Sequence, residues 1–180
     1  MEKVIRSLAK QAILDEFDKT QSIDTKMLLE KFPALAQQRA TFVTLSLDGR
    51  LRGCIGSLVA HRTLLDDLIH NAKSAAFEDP RFYPLSSEEF KKVVIEISLL
   101  SPPEPLLYDS IEDLKSKVSV GIDGIILQKE GKRATFLPQV WEQLPTFEHF
   151  FSHLCQKAGL GANCLEHHPD IWRYRVEKIK

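Results

Sequence analysis

The residues best suited to chemistry sit together in the run Leu51-Arg52-Gly53-Cys54-Ile55-Gly56. Cys54 is the candidate catalytic residue. A thiol becomes a nucleophile as its thiolate, and a nearby guanidinium such as that of Arg52 favours the charged form. Gly53 and Gly56 mark a strand to which another backbone or a ligand comes close. A nucleophile also needs a base and a site for developing negative charge. No such partner is evident, although His61 and His70 are near in the chain. The competing reading is a small cysteine packed where glycines make room for it.

A second group follows at Asn71…Asp79-Pro80-Arg81-Phe82. A proline-pinned loop can position Asp79 and Arg81 for a ligand, and the guanidinium offers a planar fork to a carboxylate or phosphate. Alternatively, an internal Asp79–Arg81 pair, or a bond from Arg81 to backbone carbonyls, fixes the loop. Arg52, Gly53, Gly56, Asp79 and Arg81 are therefore the candidate ligand-binding residues.

Metal binding is the weakest of the chemical options. His149 and His153 have i, i+4 spacing, but Phe147, Phe150, Phe151, Leu154 and Ala158 define the buried face of that helix and turn both histidines to solvent. The Cys155, Cys164, His167 and His168 cluster matches no zinc module. No metal and no cofactor is expected. There is no glycine-rich phosphate loop after a strand, no Gly-x-Ser-x-Gly elbow, and no three-cysteine run that would hold a radical iron–sulfur cluster.

The elements that position these residues can be read from periodicity. The chain has 180 residues, 43% of them hydrophobic, enough for a real core. Residues 2–19 carry an amphipathic stripe at Ile5, Leu8, Ala9, Ala12 and Ile13. A short helix follows near Lys26–Lys31, stopped by Pro33. Thr41–Leu47 and Leu51–Leu58 form a hairpin about Asp48-Gly49. A two-residue loop opposes Leu45 to Arg52 and Val43 to Cys54. A three-residue loop, Asp48-Gly49-Arg50, opposes Leu47 to Leu51, Leu45 to Gly53 and Val43 to Ile55. The second gathers the aliphatics on one face and Ser46, Arg52, Thr44 and Cys54 on the other, and is the expected register.

Thr63 caps a helix running to about Phe77, and Ser86 a helical turn through Phe90. Val93–Leu100 is a strand ended by Ser101-Pro102-Pro103. Ser110 caps a helix to Lys117. Gly124–Gln128 and Arg133–Leu137 make a hairpin about Glu130-Gly131. Pro138 opens a helical turn, Thr146 caps a helix to about Ala158, and Ile171–Val176 is the last strand. Four or five helices and five or six strands, without a repeated βαβ unit, make an α+β fold, mostly antiparallel sheet flanked by helices.

Net charge is −1, from 24 basic and 25 acidic residues. That balance gives no electrostatic reason to bind nucleic acid or a membrane surface. The start Met1–Arg6 lacks the apolar core of a secretory signal, and no apolar run is long enough to cross a bilayer. Three cysteines, an odd count, do not suggest a disulfide framework. Reduced thiols and a cytoplasmic location are the expectation.

The run LRGCIGSL at 51–58 resembles the signature of the AMMECR domain family, whose microbial members are called AmmeMemoRadiSam system protein A. TFVTLSLDG at 41–49, NAKSAAFEDPRFYPLS at 71–86, IEISLLSPPEPL at 95–106, VGIDGIIL at 120–127 and TFLPQVWEQLPTFEHFFSHLCQKAGL at 135–160 resemble its other blocks. Together they cover nearly the whole chain, so one domain of this type is expected over 1–180, two-lobed and built round an antiparallel sheet. The resemblance implies a cleft near the signature strand, to which Arg52, Cys54 and Arg81 contribute. It also implies the genomic company of a Memo-type protein and a radical S-adenosylmethionine protein. It brings no agreed reaction.

Two functional readings stand after this. In the first, the chain is a non-catalytic component that binds a small anionic ligand or docks a partner in that three-component pathway. In the second, it is a cysteine-dependent enzyme acting on a small anionic substrate, with Cys54 as nucleophile and Arg52 and Arg81 as clamps. The first is preferred, because no complete catalytic constellation is visible.

Overall fold

A computed structural model describes residues 1–179. The chain forms two compact units, Met1–Leu100 with most of the C-terminal strand, and Ser101–Val176.

In the first unit, α1 (Glu2–Asp18) buries the expected stripe Ile5, Leu8, Ala9, Ala12 and Ile13. It ends where Lys19 takes a left-handed conformation and returns its N–H to the Asp15 carbonyl. The buried Asp15 carboxylate accepts bonds from Ser22 N and Oγ at 2.8 and 2.7 Å, so the chain turns sharply after the helix. Asp24 caps α2 (Thr25–Lys31), and a 3-10 turn at Pro33–Ala36 leads into the sheet.

The hairpin follows as β1 (Thr41–Leu47) and β2 (Arg50–Gly56). Then come α3 (Leu64–Phe77), capped by Thr63, the short α4 (Ser87–Phe90), and β3 (Val94–Leu100). The C-terminal strand, β8 (Val176–Ile179), completes the sheet in the order β2-β1-β3-β8. Val43, Leu45, Ile95, Ile97 and Leu99 meet α1 and α3 in one core.

The second unit contains β4 (Glu104–Leu106), α5 (Ile111–Lys117), β5 (Gly124–Lys129), β6 (Lys132–Phe136), α6 (Phe147–Lys157) and β7 (Asp170–Tyr174). Its sheet order is β4-β7-β5-β6. Phe147, Phe150, Phe151 and Leu154 of α6 pack on Ile125, Leu127 and Ile171. Trp141 stacks on Phe150 at 3.6 Å between ring centroids, and its indole N–H reaches the Asp123 carbonyl.

The α+β class stands, and the caps Thr63, Ser86, Ser110 and Thr146 all act. Four expectations change. The sheet is two sheets, each of four strands. The last strand is split, β7 joining the second unit and β8 the first, on either side of Arg175. At that break Ser101 N donates to Arg175 O and Arg175 N to Ser101 Oγ. The three-residue segment β4 pairs with β7 in spite of the prolines before it and Pro105 within it.

The fourth concerns the thiols. Cys155 and Cys164 form a disulfide instead of staying reduced. The end of α6 and the 3-10 turn at Cys164–His167 bring their Cα atoms to 5.7 Å, and burial excludes other partners. Among the described residues no helix is long and apolar enough to cross a membrane.

Candidate functional site

The hairpin register decides what the signature strand presents. Asp48 and Gly49 have φ of 50° and 75°, the signature of a two-residue loop in which both residues are left-handed. Val43 faces Ile55, Thr44 faces Cys54 and Leu45 faces Gly53, as expected, but Ser46 then faces Leu51. Arg52 is the extra residue of a β-bulge. The one-residue offset lies at the bulge, not in the loop. The correction matters for Leu51, which joins Ser46 on the far face and is 46% exposed instead of reaching the core.

Both glycines of the strand make room for the protein itself. A Cβ on Gly53 would lie 2.1 Å from the Ala75 carbonyl oxygen, so the missing side chain lets α3 lie directly on the strand. A Cβ on Gly56 would fall within the Phe42 ring.

β2 is an edge strand, and a carboxylate–guanidinium pair covers its outer side. Beyond α3 the chain turns through Asp79-Pro80-Arg81. The buried Asp79 carboxylate accepts the Cys54 N–H at 2.9 Å and the Arg81 N–H at 3.1 Å. Arg81 grips it through Nε at 3.0 Å and Nη2 at 2.7 Å, and Nη2 also donates to the Cys54 carbonyl at 3.2 Å. Both main-chain groups of Cys54 are thus satisfied as a neighbouring strand would satisfy them. Arg81 holds the Asp79 carboxyl well below the usual carboxylate range, with the Cys54 N–H adding to it against the cost of burial. Arg81 therefore makes the internal pair and the carbonyl bond that sequence reasoning set beside ligand binding.

Arg52 turns elsewhere. Its Nε and Nη2 meet Glu89 Oε1 and Oε2 at 2.8 and 3.0 Å. Glu89 also accepts the Ser86 N–H as part of the capping box of α4, and Arg52 with Ser86 lowers its carboxyl to about 2. The guanidinium touching Cys54 is thus Arg81, not Arg52, because the bulge re-aims Arg52. Phe82 lies between them, 5.8 Å from the Arg52 guanidinium and 5.5 Å from that of Arg81. The next residue, Tyr83, is 90% exposed.

Cys54 keeps a free, half-buried thiol. Its Sγ lies 3.4 Å from Thr44 Oγ1, and Thr44 faces Cys54 on one side and Glu96 on the other. His61 and His70 are exposed on the surface. The arrangement is a fixed strand edge with a half-buried free cysteine whose thiol lies against the Thr44 hydroxyl.

Asn71 is not part of this edge. It donates to Thr41 O, Thr41 Oγ1, Ser57 Oγ and Asp67 Oδ2 between 2.9 and 3.2 Å. Asp67 in turn accepts from Thr41 and Ser57, tying α3 to β1 and to the residue that follows β2. Sequence reasoning did not single out Asp67 or Glu89. The signals were Asp67 four residues before Asn71 on one helix face, and Glu89 three residues after Ser86.

Similarity to known proteins follows the same frame. The AMMECR1 family model matches residues 6–179. A curated relative from Methanothermobacter thermautotrophicus is 42% identical over 146 residues, covering 78% of this chain and 73% of that protein. One from Aquifex aeolicus is 35% identical and covers 96% of this chain and 84% of that protein. The crystal structure of an uncharacterised protein from Pyrococcus horikoshii superposes with a TM-score of 0.79 at 33% identity, covering 97% of this chain and 88% of that one. With residues 6–179 matched and relatives of this identity and coverage, the chain belongs to the AMMECR1 family.

Proposed function

We propose that the chain is a partner-docking component, working beside a Memo-type protein and a radical S-adenosylmethionine protein, with the covered edge of β2 and the 79–85 segment as its contact surface. One observation carries this reading. Each arginine that an anionic substrate would need is already gripped by an internal carboxylate, while the segment so fixed presents a tyrosine that is 90% exposed. An exposed aromatic side chain carried on a fixed segment has the composition of a binding hot spot. Leu51, on the adjoining bulged strand, adds an exposed apolar side chain. The pathway partners come from the resemblance of the signature blocks alone.

The test is direct binding between purified proteins, by calorimetry. The chain should form a stoichiometric complex with one of the two partners, and Tyr83→Ala should weaken it roughly tenfold or more. Absence of a complex with either partner, or an unchanged affinity in the variant, would overturn the reading.

The enzyme reading is supported by the half-buried thiol beside a hydroxyl, with Arg81 at its main chain. It requires Cys54 to alkylate readily at neutral pH, at a rate that Arg52→Ala or Arg81→Ala changes. An inert thiol, indifferent to both substitutions, excludes it.

A further inference from the structure

The second unit holds a cavity of about 390 Å³ where β4 ends and β7 begins. Tyr108, His168 and Trp172 contribute aromatic surface, and Asp109, Asp170 and Lys117 contribute charge. The aromatic side is rigid. The Tyr108 hydroxyl donates to the Pro169 carbonyl at 2.5 Å. Its ring stacks on that of His168, with centroids 4.2 Å apart and planes 9° apart. A His168 ring nitrogen lies 2.9 Å from the Tyr108 carbonyl oxygen.

The charges are unbalanced. Lys117 Nζ donates to Asp113 Oδ2 and to the Leu107 carbonyl, both at 2.8 Å, so its ammonium is already neutralised and solvated. Among the described residues the Asp109 and Asp170 carboxylates have no hydrogen-bond or ion-pair partner. Burial, and behind it the Asp170 charge, push the Tyr108 phenol up to about 12, so the field of Asp170 reaches this wall. Aromatic faces and uncompensated carboxylates attract the same kind of group.

We propose that this cavity recognises an organic cation, an ammonium or guanidinium group on a compact apolar body, with Trp172 and His168, backed by the buried Tyr108 ring, as walls and the exposed Asp109 and Asp170 as counter-charges. The site lies in the unit that does not carry Cys54, so its success or failure leaves the reading of the β2 edge untouched.

The test is an amide-detected NMR titration of the full chain with benzyltrimethylammonium at low salt. Saturable shifts should be confined to the amides of residues 106–109, 117, 168 and 170–172. Asp109→Asn with Asp170→Asn should weaken binding roughly tenfold or more, as should replacing the probe with neutral benzyl alcohol. Neither carboxylate holds the fold together, so the double variant should keep the wild-type melting temperature. N-acetylargininamide binding tighter than benzyltrimethylammonium assigns the cavity to a protein side chain, and the reverse order assigns it to a free ammonium compound. Absence of saturable shifts, equal affinity in the double variant, or equal binding of benzyl alcohol would overturn the proposal.

Discussion

Gly53 and Gly49 lie on one hairpin and are glycines for different reasons. At Gly53 the obstacle is the Ala75 carbonyl, a backbone atom that cannot step aside. Gly53→Ala should therefore destabilise the first unit by about 3 kcal/mol, read from urea unfolding. At Gly49 a Cβ meets open space, but φ is +75°, so Gly49→Ala should cost only about 1 kcal/mol. The acids make a prediction in pH. Asp15 and Glu89 are lowered to about 2 in the folded chain, and Asp79 is lowered as well. Because their folded values lie below the ordinary value near 4, they add stability above it, and that stability is lost as pH falls toward the folded values. The melting temperature should fall between about pH 5 and 2, and less steeply in Asp79→Asn. The Asp79–Arg81 pair was legible because the two residues are adjacent to one proline. The Arg52–Glu89 pair was not, since it spans 37 positions and depends on a bulge.

At the scale of elements, the covered edge of β2 replaces a missing strand with two side chains. Asp79→Ala would remove both the acceptor for the Cys54 amide and the anchor of Arg81. Exchange of the Cys54 amide should then quicken roughly tenfold or more, while amides of β1 change little. An unchanged rate would show that water, not Asp79, protects that amide. Helices α1 and α3 and the hairpin were legible because their signals are local: a stripe of apolar residues, a capping threonine, an Asp-Gly turn. The position of the offset was not, because a longer loop and a bulge shift the register by the same single residue. The division between β7 and β8 was hidden for a related reason. Arg175 looks like one more polar residue in an alternating strand, and nothing beside it says that its neighbours pair in different sheets.

At the scale of the whole molecule, the two units can be followed separately. Trp141 and Trp172 are the only tryptophans, and both belong to the second unit, as does the Cys155–Cys164 disulfide. Reduction, or Cys164→Ser, should destabilise that unit by about 2–3 kcal/mol and lower the midpoint followed by tryptophan fluorescence. A fluorescence midpoint indifferent to reductant would show that the bridge closes a loop already held by packing. The disulfide escaped sequence reasoning because an odd cysteine count states nothing about which pair the fold brings within reach.

The placing of β8 has a further consequence, for synthesis. The first unit borrows its fourth strand, with the buried Ile179, from the far end of the chain, after the second unit is complete. As the polypeptide leaves the ribosome, residues 101–176 have every strand of their sheet before the earlier residues have theirs. The β3 edge must therefore wait unpaired through the translation of more than seventy residues, and a nascent chain halted before Val176 would offer that edge to any passing strand.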